Sequence, residues 1–489
     1  KPTKGGVWGG SSKQGLEFLV GAGTSSRMFS YDVWTAPAIL KNFMIRFNND
    51  SPDERKLTFE SGDYNLSAGS TMWFFEQPVN DSEKNAVVEI GSAATVTADV
   101  ETVGLSCPSL SNVLKIRGKA QFPKSVKMPV KTQNVCVNSA VERYAGIEVD
   151  GGELDFGTIW SSGVGMTMGL AYDATQPKYG SSTSCVFRLS ASAGVLRQTE
   201  SRYSISSIGP GRHQLMLSNG SVGSFAGSIA LGCATLSTGE VSVVDSTASF
   251  AKGLSLGGAA VDGASGSFEA AGSTVTFGGS LSLSNGRVTL GDGAHIVLSG
   301  ASAIIGDTSL GGTRTFAADG ATIEAGTSSS PVNGFDSAIL GAKGLEIVSG
   351  GDLAIAQPFT SVADETGVLV LSTPGDVSFA VPAEVAVVAT NGGSIAFGGQ
   401  ADEDHPLRGL SLGAAGKQSS LTVVPNETVC VEGAAELAGT LFVRLSGAWA
   451  LGDTAKIRVS SPVSDGTRTT WELLCVTEGL PDGLTWKTD

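Results

Sequence analysis

The stretch "GSTVTFGGSLSLSNGRVTLGDGAHIVLSG", residues 272–300, decides the fold. Val275 and Phe277 alternate with Thr274 and Thr276, and Leu281 and Leu283 alternate with Ser282 and Ser284. Val288 and Leu290 flank Thr289, and Ile296 and Leu298 flank Val297. Alternation over so few residues reads as short strands with one buried face. The strands begin at 275, 281, 288 and 296. That is closer than the ~8–12-residue spacing of turn signals in sandwich folds. Three strands therefore fit between 275 and 296, the size of one coil of a parallel β-helix. Gly278-Gly279, Asn285-Gly286 and Gly291-Asp292-Gly293 supply the tight bends that coil corners need.

The same grammar runs in both directions. Upstream are "GEVSVVDS" (239–246), "KGLSLGG" (252–258) and "GSFEAAG" (266–272). Downstream are "TRTFAADGATIEAG" (313–326), "GLEIVSGGDLAIAQ" (344–357) and the run from Gly367 to Gly399. No amphipathic helix interrupts them. A unit this short cannot bury its own apolar face and must stack on a neighbour. The chain is expected to be all-β, a right-handed parallel β-helix, with an array of β-sandwich domains as the alternative. Residues 141–450 form the expected β-helix body. Residues 1–140, with Trp8, Trp34 and Trp73, are expected to form an irregular N-terminal cap. Residues 451–489, with Trp471 and Trp486, are expected to close the other end. Such ends need covering, because an open edge invites pairing.

Composition agrees with this reading. The chain has 66 glycines among 489 residues, about twice the ordinary ~7%. Charged residues make up 16%, against an ordinary ~25%, while hydrophobic residues reach 41%. Residues 1–150 carry 16 basic and 16 acidic side chains. The other 16 basic and 31 acidic side chains give residues 151–489 the whole net charge of −15. An acidic body argues against nucleic acid or an anionic membrane as partner, since both need a basic face. No apolar window is long enough to span a bilayer.

The Gly/Ser/Thr/Ala-rich body, in strands such as "STVTFGGSLSLSNGRVTL", resembles the passenger regions of bacterial autotransporters and related repeat-rich surface proteins. The likeness covers roughly residues 220–450. It implies secretion and display at a bacterial surface, and adhesion in many members. That family ends in a membrane β-barrel, whereas no series of ~10-residue alternating strands closes this chain. The expectation is a processed passenger or a protein secreted by another route. The first residues, KPTKGGVWGG, show no apolar signal segment, so a signal peptide is expected to have been removed.

Six cysteines permit three disulfides. Cys430 and Cys475 stand together near the C-terminal end and are the first expected pair. Cys107 and Cys136 are the other candidates. Buried free thiols are the alternative. Asp402, Glu403 and Asp404, in "ADEDHPLRG", are the candidate Ca²⁺ ligands, because clustered carboxylates suit that cation. A solvated loop is the plainer reading, and no other cofactor is implied.

No nucleophile elbow, phosphate loop or zinc-binding helix motif stands out. His213 and His295 both lie at turn-to-strand steps and read as structural. Carbohydrate-cleaving β-helices need acids and a base close together. The stretch 140–215 is richest, with Glu142, Arg143, Asp150, Glu153, Asp155, Asp173, Arg188, Arg197, Glu200 and Arg202. No arrangement among them singles out a mechanism. The expected function is therefore that of a non-catalytic, rigid extracellular rod whose partners are copies of itself, head-to-tail or lateral. Strand addition by "GLEFLVGAG" (15–23) would supply one contact, making Leu16, Phe18 and Val20 assembly candidates, with Trp486 at the other end. An adhesin that binds a glycan or host protein is the alternative, and a polysaccharide lyase or hydrolase the second.

Overall fold

The computed structural model describes residues 6–11, 15–20, 26–28, 33–35, 42–47, 54–66, 71–76, 82–105, 109–128, 142–160, 165–169, 183–258, 262–412, 419–443, 452–459 and 468–476. The described residues contain no α-helix, only one short 3₁₀ turn at Thr308–Leu310. The fold is a parallel β-helix. Two compact units divide the chain. One is built on residues 1–275, with 282–286 and 309–312. The other holds 276–281, 287–308 and 313–489. The strands read from the opening stretch are present, as Thr274–Phe277, Leu281–Leu283, Gly286–Leu290 and His295–Leu298.

In the first unit the coils from Ser109 onward have three strands. A long strand such as Gly211–Ser218 is followed by a short one, Val222–Phe225, and a third, Ser228–Leu231. Each strand pairs in parallel with its counterpart one coil later. Val186 stands opposite Arg212, and Arg212 opposite Thr238, so one coil takes 26 residues. That is longer than the sequence spacing suggested. The long strands have eight residues, and the corner after each takes extra ones.

Register turns the alternation into continuous columns. Ile147, Leu189, Leu215, Val241 and Phe268 stack in register, each nearly inaccessible to solvent. In the second unit Leu345, Leu369, Val387 and Leu410 do the same. On the short face of the first unit the column runs Phe122, Phe156, Gln198, Phe225, Phe250. Phe225 and Phe250 stack with ring centroids 5.4 Å apart. Gln198 is the odd member, and it is buried. Its Oε1 accepts from Gly227 N at 2.7 Å, and its Nε2 donates to Glu200 O at 2.5 Å and Gly157 O at 3.2 Å. Gln357 does similar service in the second unit, bonding both N and O of Phe335.

The corner between long and short strands is also a column. Ala193, Asn219 and Asp245 hold φ of 51°, 56° and 48°, and Gly272 follows at 57°. A left-handed residue at the same place in each coil turns the chain without lengthening the corner. One or two residues on, Ser221, Ser246 and Ser273 are buried and form a hydroxyl ladder. Ser221 Oγ and Ser246 Oγ lie 3.2 Å apart, and Ser246 N donates to Ser273 Oγ at 3.0 Å.

The expected boundary at residue 140 does not interrupt the pairing. Glu54–Asn65 pairs in parallel with Ser82–Thr97, which pairs with Ser109–Ile116, which pairs with Arg143–Asp150. The early strands are longer, at 12 and 16 residues, because Ser82–Thr97 passes one coil corner without breaking. It pairs with both Ser109–Ile116 and Lys119–Phe122. Towards the C-terminal end Ala435–Val443 and Arg468–Val476 still pair in parallel. The exception is Gly6–Ser11, antiparallel to Gly15–Val20.

Two outcomes test this packing. Phe225→Ala empties one place in the aromatic column and should cost about 3–5 kcal/mol, read as a lower urea midpoint. Ala193→Gly relieves a left-handed alanine, which costs about 1–2 kcal/mol, against the ~0.5–1 kcal/mol entropy cost of glycine. It should raise the midpoint slightly, whereas Ala193→Val should lower it.

Candidate functional site: the outer face of the long strands

The long strands of the first unit point alternate side chains outwards. In Gly211–Ser218 these are Arg212, Gln214, Met216 and Ser218, while His213, Leu215 and Leu217 point in. Because the register is fixed, outward residues from successive coils form rows across the face. One row reads Glu148, Ser190, Met216, Ser242, and its neighbour reads Gly146, Arg188, Gln214, Glu240.

The second row is a hydrogen-bonded chain. Arg188 Nε donates to Gln214 Oε1 at 2.8 Å, and Gln214 Nε2 donates to Glu240 Oε2 at 2.5 Å. Arg212 grips the same carboxylate with two nitrogens, at 3.0 and 3.2 Å. Burial pushes the Glu240 carboxyl up, but the bonds from Arg212 and Gln214 outweigh it and hold the group below the usual range. Beyond Arg188 the Tyr144 ring lies beneath the guanidinium, 5.2 Å from its centre. Tyr144 crosses Gly146 to donate to Glu148 Oε1 at 2.6 Å. A Cβ at position 146 would stand 2.4 Å from the tyrosine oxygen, so only glycine admits the ring there. Burial, and then the Glu148 charge, push the phenol well above its ordinary value.

Beside these rows is a groove of about 390 Å³. Lys115, Glu148, Asp150 and Arg188 supply its charged lining. Ser190, Ser192, Ser218, Ser242 and Met216 line it as well. Lys115 Nζ and Arg117 Nε meet Asp150 Oδ2 at 3.0 and 3.1 Å and depress that carboxyl. Arg117 also reaches Glu89, which Lys56 pairs at 2.5 Å.

Of the charged residues picked out between 140 and 215, only Asp150 and Arg188 reach the groove. Arg143 is buried. Glu153, Asp155 and Arg197 belong to the short face, where Arg197 pairs Asp155 at 2.8 Å and Lys119 pairs Glu153 at 3.2 Å. Glu200 and Arg202 sit at a corner, and Arg202 stacks 4.0 Å from the Trp160 ring centre. Glu142 is exposed, and Asp173 lies outside the described residues. Tyr144, Glu148, Gln214 and Glu240 were not singled out from sequence. Reading every second residue at a 26-residue offset would have aligned Gln214 and Glu240 with Arg188, whereas Tyr144 and Glu148 lie 42 residues before their partners Val186 and Ser190.

The other expected sites come out as follows. Asp402, Glu403 and Asp404 do not converge. Asp402 Oδ1 accepts from the backbone N of Asp404 and His405 at 3.1 and 2.9 Å, closing its own loop. Glu403 instead pairs with Arg458. Among the described residues no three metal-ligating side chains form a group. Cys430 is a buried free thiol, so no Cys430–Cys475 bridge forms. The two cysteines lie in different sheets: Cys430 stands opposite Arg458, and Cys475 opposite Phe442. Cys107, Cys136 and Trp486 lie outside the described residues. Leu16, Phe18 and Val20 are in Gly15–Val20, which is paired on one side with Gly6–Ser11 and on the other with Asn42–Phe47. Both backbone edges of that strand are occupied within the chain, so it has none left for strand addition.

Behind the groove, His213 is fully buried and stacks on Phe187, with centroids 5.3 Å apart. Its Nδ1 lies 3.0 Å from Ser237 Oγ. His295, by contrast, is solvent-accessible and meets Glu324 at 2.9 Å. Burial pushes the His213 imidazole down to about 4, against weaker opposition from the backbone at Thr238 and Gly211. No protein-family model matches the chain, and neither a curated protein nor a solved structure matches it.

The sign of the His213 effect is definite. The unfolded chain takes up a proton near pH 6.5 and the folded one near 4, so stability from this residue is complete above 6.5 and falls as pH drops towards 4. The loss amounts to about 3 kcal/mol. Urea unfolding from pH 7.5 to 4 should therefore show a steeper decline for the parent than for His213→Leu. Parallel curves would contradict it.

Proposed function

We propose that the chain is a structural protein of a bacterial surface, held outside the cell, whose copies associate with one another. Its work is mechanical rather than chemical. The observation that carries this reading is where the polar chemistry goes. Charged side chains are spent joining one coil to the next: Arg197 to Asp155, Arg212 to Glu240, Lys119 to Glu153 and Arg408 to Glu432. Exposed pairs of this kind contribute only ~0–1 kcal/mol each. Recurring along the stack, they help fix register and keep a Gly- and Ser-rich stack from slipping. The low charge, the acidic body and the likeness to autotransporter passengers support the extracellular setting.

Self-association uses surfaces other than Gly15–Val20. Among the described residues Gly6–Ser11 has a pairing partner on one side only and is the outermost strand of its sheet. Negative-stain microscopy of the purified protein over a hundredfold concentration range, with and without Ca²⁺, tests the reading. Filaments or layers built from 49.6 kDa subunits are expected. A monodisperse monomer at every concentration would overturn the assembly reading. Recovery of the protein in the cytosolic fraction would overturn the extracellular one.

A further inference from the structure

We propose that the groove on the long-strand face binds an extended, uncharged polysaccharide. This goes beyond a scaffolding role and does not depend on it.

Three observations converge. First, the charges lining the groove are balanced and already engaged. Lys115 is held by Asp150 and Glu148 by Tyr144, while Arg188 is bonded to Gln214 and stacked on the Tyr144 ring. An ionic ligand would find no free charge of one sign and would have to break an existing pair. Secondly, the lining is rich in hydroxyls, and two of them are unspent. The Ser190 and Ser242 hydroxyls make no hydrogen bond within the described residues, Ser218 Oγ reaches only Ala191 O, at 3.5 Å, and Ser192 Oγ accepts from Asn219 Nδ2 at 2.9 Å. A hydroxyl both donates and accepts, which suits another hydroxyl. Met216 lies between Ser190 and Ser242 in the same row and offers an apolar contact for the C–H face of a sugar ring. Thirdly, the row repeats with the coils. Glu148, Ser190, Met216 and Ser242 come from four successive strands, spaced ~4.8 Å apart, for a row of about 14 Å. That step is close to the length of one pyranose ring in an extended chain, so successive sugars meet equivalent positions.

Other polymers fit less well. The long strands Cys185–Ser192 and Gly211–Ser218 are paired on both sides, so an added peptide strand has no backbone edge to join here. A nucleic acid would meet a chain of net charge −15. The groove volume of about 390 Å³ lies within the ordinary range for ligand sites.

The test is affinity electrophoresis of the full chain through gels containing hydroxyethylcellulose, dextran, amylose or polygalacturonate, followed by calorimetry on any hit. Retardation by a neutral polymer that survives 0.5 M NaCl is expected. Ser190→Trp, which fills the groove, should abolish it, while Lys119→Trp on the short face should leave it unchanged. Because the bulky variant could disturb folding, Ser190→Ala and Ser242→Ala provide a second arm. Each should weaken binding about threefold to tenfold, as expected for one lost hydrogen bond. The proposal is overturned if no neutral polymer retards the chain, or if only polygalacturonate does so and salt removes the effect. It is equally overturned if the serine variants bind as the parent does.

Discussion

In-register stacking of equivalent positions is the constraint on which everything else depends. A residue placed inward on one coil has the equivalent residue of the next coil directly above it, about 4.8 Å away. The choice at each position is therefore made against a similar neighbour. Leu189 on Leu215 and Phe225 on Phe250 satisfy that rule with apolar contact. Ser221 near Ser246 satisfies it with hydrogen bonds. A charge cannot stack on its like, so the outer rows mix signs and amides: Arg188 with Gln214, Gln214 with Glu240. The same rule produces both a featureless core and a patterned surface.

Much of the fold was legible because it is written locally. Alternation in "STVTFGGSLSLSNGRVTL" gives strands and their inward sides, and Phe250, Phe268, Phe277 and Phe316 are buried as that pattern demands. The coil length was harder to read. The long strands of the first unit have eight residues, and the corner behind each depends on a left-handed residue that is Ala193 in one coil, Asn219 in the next and Asp245 after that. Only the glycine at 272 announces such a conformation by its identity. The structural N-terminal coils were hidden for a related reason. Their strands run through a corner, so they lack the turn signals that mark the body.

The candidate site was less legible than the fold. Chemistry-bearing residues were sought as clusters along the chain, but a β-helix gathers them across it. Glu153 and Asp155 are close to Asp150 in sequence, yet they face another side. Glu240 is 52 residues beyond Arg188 and belongs to the same row two coils on. In the acidic run 402–404 adjacent side chains diverge: Asp402 turns back onto its own backbone and Glu403 turns to Arg458. His213 was placed correctly at a turn-to-strand step, but its depth follows from the inward phase of an eight-residue strand.

Gln198 and Gln357 acquire a particular meaning in a molecule of nearly interchangeable coils. Leucine, valine and phenylalanine columns would tolerate a slip by one whole coil, because each side chain would meet another of its kind. A buried carboxamide would not. Moved one coil along, Gln198 would lose Gly227 N and Gly157 O and leave polar atoms unsatisfied, at about 1–3 kcal/mol for each group. These two glutamines work as addresses. They tell a folding chain which coil it is on, where the apolar interior residues say only that it is on some coil.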